Sequence, residues 1–401
     1  MNILFLYISL PHLSDTGVFV DLIKEFARQG HQVKVATPMI NGSYEGVNKE
    51  AGIDVLRFKT DQLMNNTSNI QKGIAYIKLI HQFNKAIKNY YGNERFDLII
   101  AHSLPAEIGI IVKFLKRKFK AEFYLMLCEY IWQDSVSLGF FNEGGLICKY
   151  YQWLEKITIK TADYIGSPSQ GNIDFTLKYY PWAVEKNIHL IHYSQAPIRL
   201  QVSNIDLKEK YNLSGKFVAI YGGNMSIAQK MENVLDMAES CLAYKDIVFL
   251  LLGRGQDLIP AMKEVKRRSL VNIRFLDFLP KDEYLQLLSV CDVGLVSLNE
   301  KLAVPNIPSK TLSYFNLSIP VVASIDRNTD YGQYLESANA GLWSYAGDTE
   351  KFRENLLKLY NSPELKAQMG QNGYRFYMEN MLPEKAYHTI IGQIQKVYSQ
   401  S

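Results

Sequence analysis

Apolar, β-branched runs alternate along the whole chain with stretches whose apolar positions recur at helical spacing. That alternation predicts strand–helix units folded around parallel sheets. The first half opens with a strand over 2–9, followed by a loop that holds Ser14-Asp15-Thr16-Gly17. A helix then places Val20, Ile23, Phe26 and Ala27 on one face and stops at Gly30, before the strand Val33-Lys34-Val35-Ala36. Further strands are expected at 97–101, 122–128 and 163–167, with long helices over 68–90 and 145–161. The second half restarts the pattern: a strand over 217–221, a turn at Gly222-Gly223 and a helix over 229–243. A buried strand over 247–252 ends at Gly253-Arg254-Gly255; a helix at 258–267, a strand at 272–276, a helix at 281–290 and a strand at 292–297 follow. Next come a short helix from Pro308, strands at 320–324 and 341–345, and a last helix over 384–399. Residues 195–215 are polar and turn-rich and read as a linker.

The predicted fold class is therefore α/β, with two Rossmann-like domains. Their expected bounds are 1–200 and 201–375, and residues 376–401 form a C-terminal helix returning to the first domain. A length of 401 residues suits two cores rather than one. Apolar content of 47% with 21% charged residues is that of a folded globular chain. No apolar run approaches the roughly 20 residues that span a bilayer. The start, Met1-Asn2-Ile3-Leu4-Phe5, lacks a basic leader and reads as a first strand. The four cysteines show no CxxC spacing, which points away from structural zinc and toward a reducing cytoplasm. The net charge of +4 is too small for a nucleic-acid binder. All of that excess lies in residues 1–200, which hold 22 Lys+Arg against 18 Asp+Glu, while the remainder holds 22 of each.

Pro308-Ser309-Lys310-Thr311-Leu312-Ser313-Tyr314-Phe315, followed by Ile319-Pro320-Val321-Val322-Ala323-Ser324, is the most informative stretch. Pro308 pre-sets a first helical turn and Ser309 is placed to cap it. Free amides, the helix dipole and Lys310 make an anion site there, while the bland alternative is an ordinary capped helix before a strand.

Four places carry a family resemblance. They are the opening strand with Gly17 and Ala27-Arg28-Gln29-Gly30-His31-Gln32-Val33; Tyr221-Gly222-Gly223-Asn224 through Lys230; Phe275-Leu276-Asp277-Phe278-Leu279-Pro280 through Leu295; and Pro308–Ser324. In order and spacing they resemble the retaining glycosyltransferases of family 4, of the bacterial capsule, O-antigen and exopolysaccharide type. The resemblance implies a GT-B fold, two Rossmann-like domains facing across a cleft. It implies transfer of a sugar from a nucleotide-diphosphate sugar to a lipid-linked or growing glycan, metal-independent and without a cofactor. Diphosphate binding falls to Gly17, Asn224, Lys230, Ser309 and Lys310, and the base and ribose to Gly253, Phe278, Leu279 and Ser313. For Gly17 the alternative is an ordinary turn glycine, and for Lys230 a solvated helix lysine.

The family's two glutamates around the phosphate helix fall here at Pro305 and Ser313, and its Arg and Lys at Asn224 and Gln229, with Lys230 adjacent. Those departures keep open a GT-B-fold binding or scaffold protein without activity. A sugar-nucleotide 2-epimerase of similar fold is less favoured, since it needs a cleft histidine and residues 201–375 contain none. On the acceptor side Glu129 and His102 end two first-domain strands, the edge where α/β sheets place their sites. Either could be catalytic; a salt-bridged glutamate and a hydrogen-bonding core histidine are the alternatives. Residues 110–120 interleave Lys113, Lys116, Arg117, Lys118 and Lys120 with apolar positions. They fit either a core-packed helix or a contact with an anionic membrane surface bearing a polyprenyl-linked acceptor, on the inner face of the cytoplasmic membrane.

Overall fold

The computed structural model describes residues 1–60, 69–200 and 207–400. The middle of the expected linker, 201–206, and the first residue of the expected 68–90 helix lie outside the described residues. The chain divides into two compact units, Met1–Ala196 with Leu382–Ser401, and Pro197–Met381.

The first unit is built on an eight-stranded sheet. Its strands are β1 (Asn2–Leu6), β2 (Gln32–Pro38), β3 (Gly46–Glu50), β4 (Ile53–Phe58), β5 (Leu98–His102), β6 (Glu122–Met126), β7 (Tyr164–Ser167) and β8 (Ile188–Leu190). They lie in the order β3-β4-β2-β1-β5-β6-β7-β8, all parallel except β3 against β4. The order reverses between β1 and β5, so the loop after β1 and the end of β5 flank the crevice of this sheet. Burial of both faces explains the unbroken apolar run Leu98-Ile99-Ile100-Ala101. The helix Pro383–Gln400 packs its Tyr387, Ile390 and Ile394 into the same core as Ile23 and Phe26, and Tyr387 bonds His31 at 2.9 Å.

The second unit holds a six-stranded sheet of β9 (Phe217–Asn224), β10 (Ile247–Arg254), β11 (Ile273–Leu276), β12 (Val293–Ser297), β13 (Val321–Ile325) and β14 (Gly341–Tyr345). The order is β11-β10-β9-β12-β13-β14, every pairing is parallel, and the switch point falls between β9 and β12.

Several expectations are corrected. Residues 376–381 stay in the second unit, because the helix Pro363–Asn380 continues to Asn380 and Met381 caps it; the returning segment starts at Leu382, and the units part at Ala196 rather than at 200. Gly222-Gly223 is not a turn: β9 runs to Asn224, pairing Gly223 with Gly253 and Asn224 with Arg254. The strands can come this close because a Cβ at Gly253 would stand 1.8 Å from the Gly223 carbonyl oxygen, so only glycine fits. The expected helix over 229–243 is a 3-10 turn, Ile227–Gln229, then a helix over Glu232–Ser240. The β3–β4 hairpin was not foreseen.

The helix Ile108–Phe119 turns its apolar side inward. Ile111, Val112 and Leu115 are buried, Ile110 is half-buried and Phe114 alone of its large apolar residues is exposed. Lys116 pairs with Asp163 at 2.5 Å and Lys118 donates to the Gly92 carbonyl at 3.0 Å. The core of the first unit thus takes up the apolar face that a bilayer contact at 110–120 requires.

Candidate functional site

In the second unit the C-terminal ends of β9, β10 and β12 converge on the turn before the helix Lys310–Asn316. Ser297 at the end of β12 donates to the Gln229 carbonyl at 2.6 Å. Asn299 donates to Ile227 O at 2.7 Å, and Asn233 bridges Ser297 Oγ and the Leu298 carbonyl at 3.1 Å each. These bonds fix the loop 225–230 over the switch point. On the other side, Asn328 donates to Leu302 O at 2.6 Å and Thr329 exchanges two bonds with the Asn306 backbone, so the segment leading to Pro308 is held as well. None of these polar anchors was singled out from the sequence. Their only signal is a cluster of Asn, Ser and Thr just past strand ends.

Lys310 stands out within this frame. Its ammonium lies 3.5 Å from the centroid of the Tyr221 ring, and a Cβ at Gly223 would be 3.6 Å from it. Among the described residues it pairs with no carboxylate. The side chain as a whole is half-buried, but protein crowds the ammonium, and that desolvation brings its pKa down to about 7. A cation kept near neutrality by desolvation, facing an exposed glycine backbone, is prepared to gain an anion. Lys230 is in a different state: its ammonium meets Glu300 at 2.6 Å, so it already has a counter-charge.

Other predicted residues fall around the same edge. Gly223 (φ 132°) and Asn224 are exposed at the end of β9. Arg254, at the end of β10, lays its guanidinium 3.8 Å from the ring centroid of Phe278, which is exposed, while Leu279 is half-buried. Ser313 sits one turn after Lys310 and is half-buried. Ser309 does not cap its helix. Its backbone is already helical and its side chain makes no capping bond; the Pro308 and Ser309 carbonyls instead accept from Thr311 N and Leu312 N at 3.1 Å each. At Pro305, where the resemblance expects a carboxylate, the residue is buried.

Gly17, His102 and Glu129 belong to the first unit. The loop holding Gly17 is shaped by a buried pair: Arg57 meets Glu50 at 2.9 Å and donates to the Leu10 and Pro11 carbonyls at 2.7 and 3.0 Å, and Glu50 accepts from Leu13 N at 3.0 Å. Gly17 is in extended backbone that any residue adopts, and a Cβ there would touch nothing within 4 Å, so the fold itself does not demand glycine. His102 is a buried acceptor: its Nδ1 takes the Leu104 N–H at 3.1 Å, its ring meets Phe19 edge-on, and desolvation lowers its pKa to about 4. That places the imidazole in the neutral form, as expected for a structural role. Glu129 is exposed as a residue, although the surrounding protein pushes its carboxyl pKa upward. It lines a small hollow of about 20 Å³ with Ser103, Tyr151, Glu155 and Thr158, room for about one water. Glu155 accepts from Trp132 at 3.1 Å and from Gln133 and Tyr180 at 2.7 Å; burial outweighs those bonds and raises it to about 7.

Residues 203–376, nearly all of the second unit, match the family described as Glycosyl transferases group 1. The chain has the GT-B fold and is related to the family 4 glycosyltransferases of bacterial exopolysaccharide and capsule. Among similar proteins, WcaI of Escherichia coli K12, named as a glycosyl transferase of colanic acid biosynthesis, is 22% identical over 354 residues, 82% of this chain and 84% of that protein. Among solved structures, sucrose-phosphate synthase of Thermosynechococcus elongatus superposes with a TM-score of 0.77 at 16% identity, covering both chains fully. Anabaena HepE in complex with UDP-glucose gives 0.70 at 15% identity, over 99% of this chain and all of that one. The two sheet–helix units of this glycosyltransferase relative therefore have the GT-B fold. Among its described residues no helix is long and apolar enough to cross a membrane, and no three His, Cys, Asp or Glu side chains group as metal ligands.

Proposed function

We propose that the protein is a retaining glycosyltransferase that moves a sugar from a nucleotide-diphosphate donor to a lipid-linked or growing bacterial glycan. The observation that carries this reading is Lys310, an uncompensated ammonium at the switch point of the second sheet, beside the exposed backbone of Gly223. In the reaction the bond between the anomeric carbon and the diphosphate oxygen breaks, and its electron pair goes to the diphosphate. The acceptor hydroxyl oxygen bonds to that carbon from the same face, and its proton passes to the departing diphosphate. Negative charge grows on the leaving oxygen, so a fixed cation there lowers the barrier. Lys310 supplies it, with Ser309, Asn224 and the Lys230–Glu300 pair as flanking polar groups. The Arg254–Phe278 stack with Gly253 and Leu279 offers a flat surface for the base, and Ser313 one hydroxyl for the ribose. That UDP-glucose is bound by HepE supports a donor of this class. Glu129 is assigned to the acceptor side.

A second reading, a nucleotide-sugar-binding protein without turnover, is favoured by the absence of carboxylates at Pro305 and Ser313. A thermal-shift panel of UDP, GDP, ADP and CMP with their sugar conjugates tests the donor site. At least one diphosphate is expected to raise the melting temperature of the wild type and not that of Lys310→Met. No shift with any of them would remove the donor site.

A further inference from the structure

The helix Leu146–Thr161 is amphipathic on its buried side and apolar again on its outer side. Cys148, Leu154, Thr158 and Ile159 face the core. At 100° per residue, Leu146, Tyr150, Trp153 and Ile157 form a single stripe in the middle of the opposite face. Leu146 is 87% exposed and Trp153 50%; Ile147 and, in the preceding turn, Phe140 are exposed too. Tyr150 stacks on Trp153 with centroids 6.1 Å apart, so the aromatic part of the stripe is ordered. Lys149, Lys156 and Lys160 run along one flank of the stripe, all exposed. Among the described residues none of the three meets a carboxylate. Glu155, the one acid of the helix, is turned inward to Trp132, Gln133 and Tyr180. Lys113 and Arg117, on the helix Ile108–Phe119 that packs alongside, are exposed and basic as well, while Glu143 in the preceding turn is the nearby exposed acid.

We infer that this outer face is a docking surface for an anionic lipid bilayer, lying in the headgroup layer with Leu146, Tyr150 and Trp153 inserted. Tryptophan and tyrosine suit that layer because each has an apolar body and a polar tip. Uncompensated lysines beside the stripe match anionic headgroups, and the same lysines would face one another in a two-fold pairing of two copies. The inner face of the same helix contributes Tyr151, Glu155, Thr158 and Ile159 to the hollow beside Glu129. One helix therefore joins a bilayer-facing stripe to the residue assigned to the acceptor. This link rests on the proposed glycosyl transfer to a lipid-linked acceptor, whereas the docking itself does not.

Sedimentation with vesicles of phosphatidylcholine alone, and with 30% phosphatidylglycerol added, tests the surface without any nucleotide. The wild type is expected to partition to the anionic vesicles in low salt, with a blue shift of tryptophan emission that Trp153→Phe removes. Lys149→Gln/Lys156→Gln/Lys160→Gln should weaken partition on the order of a hundredfold, since each lysine near the surface contributes about 1 kcal/mol. Leu146→Ser/Tyr150→Ser/Trp153→Ser should abolish it while a cooperative melt shows the protein still folded, because Leu146 is 87% and Trp153 50% exposed. If the serine triple variant partitions like the wild type, or if the wild type ignores anionic vesicles, the docking surface is wrong. If, instead of binding vesicles, the wild type forms a dimer that the serine variant loses, the stripe is a self-association face and the inference is overturned. None of these readouts depends on donor binding or turnover, so failure of the glycosyl-transfer reading would be seen separately in the nucleotide panel.

Discussion

Binding of the donor should take up a proton at Lys310. Without ligand its pKa is about 7, because the ammonium is desolvated beside Tyr221 and no carboxylate offsets that cost. At pH 8 about one tenth of the side chain is then charged, and at pH 6 about nine tenths. A diphosphate against the ammonium favours the charged form and returns the pKa toward its ordinary value. Uptake is therefore about 0.9 proton per donor bound at pH 8 and about 0.1 at pH 6. Between pH 7 and pH 9 the affinity should fall roughly fiftyfold, equivalent to about 2.3 kcal/mol. Calorimetric titration with a nucleotide sugar, whose phosphates stay ionised throughout, reads the proton number from the slope against buffer ionisation enthalpy. Lys310→Met should flatten the pH dependence and weaken binding at pH 7 by about 1.5–3 kcal/mol, the range for a charged hydrogen bond. The unliganded protein gives a separate check on the premise. The folded pKa lies below the unfolded one, so the unfolded chain binds more protons between about pH 7 and 10.5, and stability rises with pH across that window. Lys310→Met should accordingly raise the melting temperature most below pH 7 and least near pH 10.5. Flat affinity from pH 7 to 9 with no proton uptake at pH 8 would refute the role given to Lys310.

Arg57→Met should destabilise the first unit by roughly 3–5 kcal/mol in denaturant melts, since it leaves Glu50 and two carbonyls buried without their partner. Burial pushes the Glu50 carboxyl up, but Arg57 and the Leu13 amide outweigh it and hold it below the usual range; the stabilisation is present above the unfolded carboxyl pKa and should be lost as acid protonates the folded form. Gly253→Ala should cost about 1–3 kcal/mol by forcing β9 and β10 apart, and should lower donor affinity while leaving the first unit intact, as hydrogen exchange by region would show. Glu129→Gln should leave nucleotide affinity unchanged and slow turnover by about tenfold or more; wild-type turnover would make Glu129 a structural residue.

The layered architecture was legible because both faces of each sheet are covered, and strand stretches such as Leu98–Ala101 and Ile247–Leu252 are therefore apolar without interruption. The hairpin β3–β4 was not, since Gly46-Val47-Asn48-Lys49-Glu50 is exposed on one face and polar enough to pass for a loop. From Pro308 and Lys310 the sequence suggested an anion site, and the structure sets the Lys310 ammonium beside Tyr221 and the end of β9. Ser309 misled: a serine before a helix suggests a cap, but Pro308 already provides the turn and the hydroxyl is left outside. The run 110–120 misled in the opposite way, because apolar residues between lysines fit a core helix as well as a membrane one. Only burial distinguishes Ile111 and Leu115, which are inside, from Leu146 and Trp153, which are not. Long-range partners such as Arg57 with Glu50, or Ser297 with the Gln229 carbonyl, have no local signature at all.

The central claim is sugar transfer from a nucleotide diphosphate, and turnover tests it most directly. The wild type would be incubated with each radiolabelled nucleotide sugar of the panel and polyprenyl-diphosphate-linked glycans in anionic vesicles. Lipid-extractable label and free nucleotide would both be counted, and the anomer of the product read by NMR. One donor is expected to yield equal amounts of labelled lipid-linked glycan and nucleoside diphosphate, with the anomeric configuration retained and with the rate lost in Lys310→Met. A folded protein that binds a nucleotide sugar yet releases no diphosphate with any acceptor would contradict the account and leave a binding protein in its place.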